Sequence, residues 1–230
     1  MNSIFDINCR RCPRLATFLD AVHREEPDYF CRPVPPFGDP AAPLLIVGLA
    51  PGMHGANRTG RAFTGDYAGI LLYATLHKFG LATGAISTAA ADGLELVGAR
   101  ITNAVKCLPP FNKPLPLEIK ACNDFLRAEL EQSREVRAIL ALGTIAHTAV
   151  LRALDLPVAR YRFAHAAEHS LPADRVLLDS YHCSRYNTNT RRLTTPMFEA
   201  VVSRARDLAG GVSPARAREA ADPAPRASSP

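Results

Sequence analysis

The stretch Pro43–Gly69 reads PLLIVGLAPGMHGANRTGRAFTGDYAG. Its first residues form a short apolar run bounded by proline and glycine, the signature of a buried strand. The run opens into a long, polar, glycine-rich loop. This loop carries the carboxylate of Asp66, the ring of Phe63 and two arginines, Arg58 and Arg61. It is not a P-loop, because it contains no G-K-[ST], and it lacks the dinucleotide G-x-G-x-x-G pattern. Its glycines permit close approach of backbone to a flat ligand. Phe63 offers such a ligand a stacking face, and Asp66 a carboxylate to orient water. Asp66 also stands directly before an apolar-periodic segment, so it reads equally as a helix N-cap. The two roles are compatible.

The same strand-then-loop pattern recurs downstream. Apolar runs at Leu44–Leu49, Arg100–Val105, Ala138–Leu142 and Arg175–Tyr181 predict four strands. Helical spacing predicts helices at Asp66–Phe79, Leu117–Arg134, Thr144–Leu154 and Thr195–Leu208, with Pro116 and Pro196 as start signals. Alternating strands and helices predict an α/β domain whose parallel sheet is covered on both faces. That domain is expected over residues 1–209. The remainder, 210–230, holds almost no large apolar residue and is expected to be a disordered tail.

The 230 residues carry a formal net charge of +5. Most of the basic residues are arginine, which suits bidentate phosphate contacts, although a GC-rich genome favours arginine too. The charge is compatible with a nucleic-acid partner without establishing one. No apolar run is long enough to span a bilayer, and the start MNSIFDINCRRCPRL lacks a secretory pattern. The expectation is a soluble, cytoplasmic, monomeric protein with no membrane partner.

In open parallel sheets, ligands bind beyond the carboxyl ends of the strands, and the unusual residues cluster there. Asn103 ends the second strand. Its amide can read the edge of a base, or bond its own loop. Asn112, in FNKP, reads as a turn residue. His182 comes directly after the fourth strand and can steady a developing anion or shuttle a proton; a lone histidine is equally read as structural. His54 and His147 are further pocket candidates. SRYNTNTRRL, with Arg185, Tyr186, Arg191 and Arg192, reads either as a loop that tracks a nucleic-acid backbone or as a solvated turn. Cys9, Cys12, Cys107 and Cys122 form a C-x2-C pair, a long gap and a C-x14-C pair, a set able to hold an iron–sulfur cluster or zinc. Cys31 reads as a packed apolar residue. Cys183 neighbours His182, but adjacent residues on an extended strand face opposite ways, which argues against a Cys–His dyad.

Taken together, GLAPGMHGANRTGRAFTGD resembles the first motif of the uracil-DNA glycosylase superfamily, most closely family 5, the type B enzymes. ITNAVKC, PPFNKP and SYHCSRYNTNTRRLT are similar to its later motifs. The resemblance covers about Cys9 to Leu208. It implies a three-layer α/β/α domain around a four-stranded parallel sheet. It also implies a [4Fe–4S] cluster on Cys9, Cys12, Cys107 and Cys122, with zinc as the lesser alternative. The implied activity is base excision repair: uracil, and other deaminated bases such as hypoxanthine, is flipped from DNA and its N-glycosidic bond is hydrolysed.

Carried onto this chain, the resemblance makes Phe63 the stacking ring, Asn103 the reader of the base edge and His182 the group near O2 of the departing base. Asp66 would position water, Gly48 would lie against the substrate, and Ser184, Arg185 and Arg58 would meet DNA. Family 4 enzymes read GEAPG where this chain has Leu49, so the carboxylate must be sought elsewhere. One departure stands out. The last motif usually reads H-P-S, and here it is His182-Cys183-Ser184. Losing the proline removes a fixed φ, which is expected to loosen the loop. The rival reading is a nucleic-acid-binding protein with impaired catalysis.

Overall fold

The structure, a computed structural model, describes residues 5–210. Of the predicted tail, all but Gly210 lies outside the described residues. In chain order the elements are α1 (Pro13–Glu25), β1 (Phe37–Gly38), β2 (Leu44–Gly48), α2 (Ala56–Thr59), α3 (Tyr67–Lys78), β3 (Ala99–Asn103) and α4 (Pro116–Gln132). Then come β4 (Ala138–Leu142), α5 (Thr144–Ala153), β5 (Glu168–Leu171), β6 (Arg175–Ser180), α6 (Arg185–Asn189) and α7 (Thr195–Leu208).

The four strands expected from the sequence are β2, β3, β4 and β6, and neighbours among them pair in parallel. The sheet extends beyond four. Its order is β1-β3-β2-β4-β6-β5, with β1 and β5 added antiparallel at the two edges. These edge strands escape a pattern reading because β1 is two residues long and β5, EHSL, is mostly polar.

Alternation along each strand divides the core between two faces. Leu44 and Ile46 of β2 and Leu140 and Leu142 of β4 pack with Leu72 and Leu76 of α3 and with Phe198, Val201 and Val202 of α7. Leu45, Val47, Ile139 and Ala141 face the other way, against Leu126 and Leu130 of α4 and Val150 and Leu151 of α5. The result is the expected three layers. A satellite core joins Leu15, Leu19 and Val22 of α1 to Phe125 of α4 and to the cysteine cluster.

The helix starts obey local rules. Pro13, Pro116 and Pro196 occupy first-turn positions, where a missing N–H costs nothing. Thr194 caps α7 through Oγ1, which accepts from the Met197 amide at 3.4 Å. Glu118 reaches back to the Leu115 amide at 2.7 Å and pins the start of α4.

Candidate active site

Among its parallel strands the sheet runs β3-β2-β4-β6, so the chain winds one way from β2 to β3 and then crosses to the other side for β4. This topological switch lies between β2 and β4, where such sheets form a crevice. A cavity of about 450 Å³ opens there. Leu49 comes just after β2, Asn103 ends β3, Leu142 and Gly143 end β4, and His182 lies just beyond β6; all four strand ends reach the cavity. Phe63, Asp66, Ser184 and Arg185 join them. Gly48 and Arg58, also named from the sequence, are not part of the lining.

Gly48 acts from beneath. A β-carbon added there would overlap Asn103 Oδ1 and lie 2.6 Å from the Phe63 ring. At Gly55 it would lie 2.5 Å from Asp66 Oδ2, and at Gly69 it would overlap the Phe63 carbonyl oxygen. The space opened by these glycines is filled by the protein's own site residues. Phe63 itself adopts φ 55°, a left-handed conformation uncommon for a bulky residue, and its ring is buried.

Asp66 stands both at a helix start and at the cavity. It is the N-cap of α3, with Oδ1 accepting from the Gly69 amide at 2.8 Å. It also lines the cavity, and its Oδ2 faces Gly52 and Gly55. Burial raises its pKa, partly opposed by the Gly69 and Ala68 amides.

Asn103 is buried at the end of β3, and its Oδ1 has no hydrogen-bond partner among the described residues. An orphaned buried acceptor is costly in a folded protein and points to a missing partner. His182 lies with its ring 5.9 Å from that of Phe63, the planes 27° apart. Desolvation lowers its pKa to about 4, so the imidazole is neutral at physiological pH.

Within SRYNTNTRRL, Arg185–Asn189 form the short helix α6. Ser184 caps α6, and Asn187 Nδ2 donates to the His182 carbonyl at 2.8 Å. Cys183 is buried in the main core, and burial drives its thiol well above the ordinary value, which leaves no nucleophile there. Arg185 lies over the Tyr67 ring at 4.9 Å, and Thr188 meets the Tyr67 hydroxyl at 3.2 Å. Tyr67 lines the cavity and ties α3 to α6; its position directly after Asp66 was the available signal for it.

Other candidates fall elsewhere. Arg61 is buried and holds Asp92 and Ser87, each at 2.6 Å, which fastens the glycine loop to the segment before β3. Arg58 is exposed on α2. His54 pairs with the Tyr29 hydroxyl at 2.9 Å. His147 is buried away from the cavity and bonds Asp179 at 2.8 Å and the Tyr161 carbonyl at 2.9 Å. His169 meets the other oxygen of Asp179 at 3.1 Å. Desolvation works against charge on His147, but the Asp179 carboxylate outweighs it and raises the pKa. Sequence reading did not connect these three, because their pairing depends on β5 lying beside β6.

Cys9, Cys12, Cys107 and Cys122 converge on a second, small cavity lined also by Leu15, Val105 and Phe125. The Lys106 amide donates to Cys122 Sγ at 3.2 Å. Burial pushes the Cys107 thiol far up and the Cys122 thiol to about 11, so these sulfurs would ionise only with a cation among them. The donor set fits a thiolate-bound metal group. Among the described residues, the one set of three or more ligand atoms within 4.8 Å of one another is His147, His169 and Asp179.

A family model described as the uracil DNA glycosylase superfamily matches residues 35–206. The chain is 49% identical over 208 residues to the type-5 uracil-DNA glycosylase of Thermus thermophilus, covering 88% of this chain and 94% of that protein. It is 42% identical over 219 residues to the type-5 enzyme of Mycobacterium tuberculosis, covering 91% and 81%. A type-4 uracil-DNA glycosylase of Archaeoglobus fulgidus is more distant, 32% identical over 162 residues, covering 68% and 67%. The chain belongs to the uracil-DNA glycosylase superfamily, and within it to the type-5 branch.

Proposed function

We propose that this protein flips uracil, and other deaminated bases such as hypoxanthine, out of DNA and hydrolyses the N-glycosidic bond to leave an abasic site. The observation that carries the reading is the meeting of Asp66, an unpartnered Asn103 amide, Phe63 and a neutral His182 at one cavity. Uracil presents a flat ring and an edge with an N–H between two carbonyls. Phe63 offers the ring a face. Asn103 Oδ1 suits the N–H, and its Nδ2 suits a flanking carbonyl.

Cleavage of this bond builds positive charge on the sugar and negative charge on the departing base. His182 is neutral, so it retains a ring N–H to donate to the base oxygen as charge develops. One well-placed donor of this kind contributes roughly 3–4 kcal/mol. The Asp66 carboxylate, opposite in sign to the sugar cation, favours that cation and holds the attacking water. Neither step needs a protein nucleophile. Flipping costs on the order of a few kcal/mol, least at a mismatch, so uracil opposite guanine is the easiest duplex target. A cavity near 450 Å³ is of the size that takes drug-like molecules, which leaves room for a purine.

Cys9, Cys12, Cys107 and Cys122 would hold a [4Fe–4S] cluster. Zinc in a closed four-thiolate site is the lesser alternative. The cluster would supply a structural cross-link between the N-terminus, the segment after β3 and α4. Ser184 and Arg185 would meet the DNA backbone from the rim of the cavity. Arg58 would add charge outside it.

The test is alkali strand cleavage on a duplex panel holding uracil, hypoxanthine, xanthine or thymine. Release of uracil and a deaminated purine supports the reading. Tight DNA binding with no base released would instead support a catalytically impaired binding protein.

A further inference from the structure

Resting on the proposed base-flipping activity, we infer that Phe111 is the ring that enters the DNA stack at the lesion, from the rim of the cavity opposite α6. Phe111 sits in the segment between β3 and α4 and is 92% exposed, the most open of the large apolar side chains among the described residues. Both Phe111 and the adjacent Asn112 take φ 56°. Asparagine tolerates this region, but a bulky aromatic residue held there with its ring in solvent is an unfavourable arrangement with no internal packing in return, of the kind that clusters at functional sites.

The segment is braced as a projecting turn. Pro109 and Pro110 precede it, and their carbonyls accept the Asn112 and Lys113 amides, each at 3.1 Å. Arg14 Nη2 donates to the Lys113 carbonyl at 3.1 Å while the same guanidinium is paired with Glu118. The brace therefore ties Phe111 to α1 and α4, the elements beside Cys12 and Cys122. The exposed apolar surface continues through Leu115 and Leu117.

Position gives the ring its partner. Asn112 lines the cavity mouth, and so does Arg185. They extend from β3 and β6, which two strands separate. At about 4.8 Å per inter-strand spacing, β3 and β6 themselves lie roughly 14 Å apart. A duplex presenting a nucleotide to the cavity would lie across both rims. Extrusion of that nucleotide leaves a gap in the stack, and an aromatic ring can fill such a gap. Arg185 on the far rim suits phosphate, whereas Phe111 carries nothing but a ring.

The experiment compares wild type, Phe111→Ala and Phe111→Leu in single-turnover release of uracil, from a duplex and from the same strand alone. Melting temperatures serve as the folding control. The expected result is a loss of roughly tenfold to a hundredfold for Phe111→Ala on the duplex, the scale of one stacking contact. Its single-strand rate and melting temperature should match wild type, and Phe111→Leu should recover most of the duplex rate. The leucine arm decides the matter even if single strands are poor substrates. An unchanged duplex rate for Phe111→Ala, or equal losses on both substrates, would overturn the inference while leaving the glycosylase reading intact. Retention of uracil by wild type on both substrates would overturn that reading, and the wedge with it.

Discussion

Gly48 lies directly against Asn103, so that a β-carbon at Gly48 would overlap Asn103 Oδ1 and press on the Phe63 ring at 2.6 Å. The glycine thus works at one remove from the substrate. Gly48→Ala is expected to displace both the edge-reading amide and the stacking ring. Overpacking of this kind costs about 1–3 kcal/mol. The expected outcome is a drop in melting temperature together with a loss of uracil release comparable to that of Asn103→Ala. Full activity in Gly48→Ala would show that neither residue needs its present position.

Asp66 shows how function and stability separate. Burial raises its pKa above 3.8, so the folded state holds that proton more tightly than the unfolded chain does. The stabilising contribution is complete below 3.8 and is lost as pH rises through the raised value. At neutral pH the ionised group is a net cost. Asn caps helices as well as Asp does. Asp66→Asn should therefore melt no lower than wild type at pH 7, and its stability should lose the pH dependence contributed by this group. A large fall in melting temperature would contradict this expectation.

How far the sequence carried the structure depends on where the information lay. Asp66 and the helix behind it were legible because cap and apolar period are local. The four parallel strands were legible as apolar runs, and the order of strand ends placed Asn103 and His182 together. α1 was readable in principle from Pro13 and the spacing of Leu15, Leu19 and Val22. α6 was not, since it has no apolar periodicity and is fixed by Ser184 and by Asn187 reaching the His182 carbonyl. The glycines of the loop read as room for a flat ligand, but the groups packed against Gly48, Gly55 and Gly69 are Asn103, Phe63 and Asp66. The role of Gly48 is a tertiary fact.

Two histidines should titrate on opposite sides of the ordinary value of 6.5. Desolvation takes His182 down to about 4, whereas Asp179 lifts His147 against the effect of burial. For His182 the unfolded chain binds the proton more readily, so stability falls as pH drops from 6.5 towards about 4. For His147 the sign reverses. Its contribution is complete below 6.5 and fades as pH rises through its raised folded value. Histidine NMR titration, assigned with His182→Ala and His147→Gln, should show one midpoint low and one high. A midpoint near 6.5 for His182 would contradict the desolvation of its ring, and one well above neutral pH would undo its role as a neutral donor.

The cysteine site gives an analytical prediction. Wild-type protein purified without oxygen should carry about four iron atoms per chain and labile sulfide. Cys122→Ala should lose both, and should melt lower because one cross-link between α4 and the N-terminal segment is then lost. One zinc per chain in wild type, or a Cys122→Ala protein that melts normally without metal, would contradict the cluster assignment.

Whether Asp66 acts in base release is decided by the single-turnover rate on a U·G duplex for wild type and Asp66→Asn, with duplex affinity measured on the same samples. Loss of an acid–base or water-positioning group costs roughly 100-fold or more. A fall of that size is expected for Asp66→Asn, with affinity and melting temperature preserved. Equal rates for the two proteins would contradict the proposed chemistry, and would reduce Asp66 to the cap of α3.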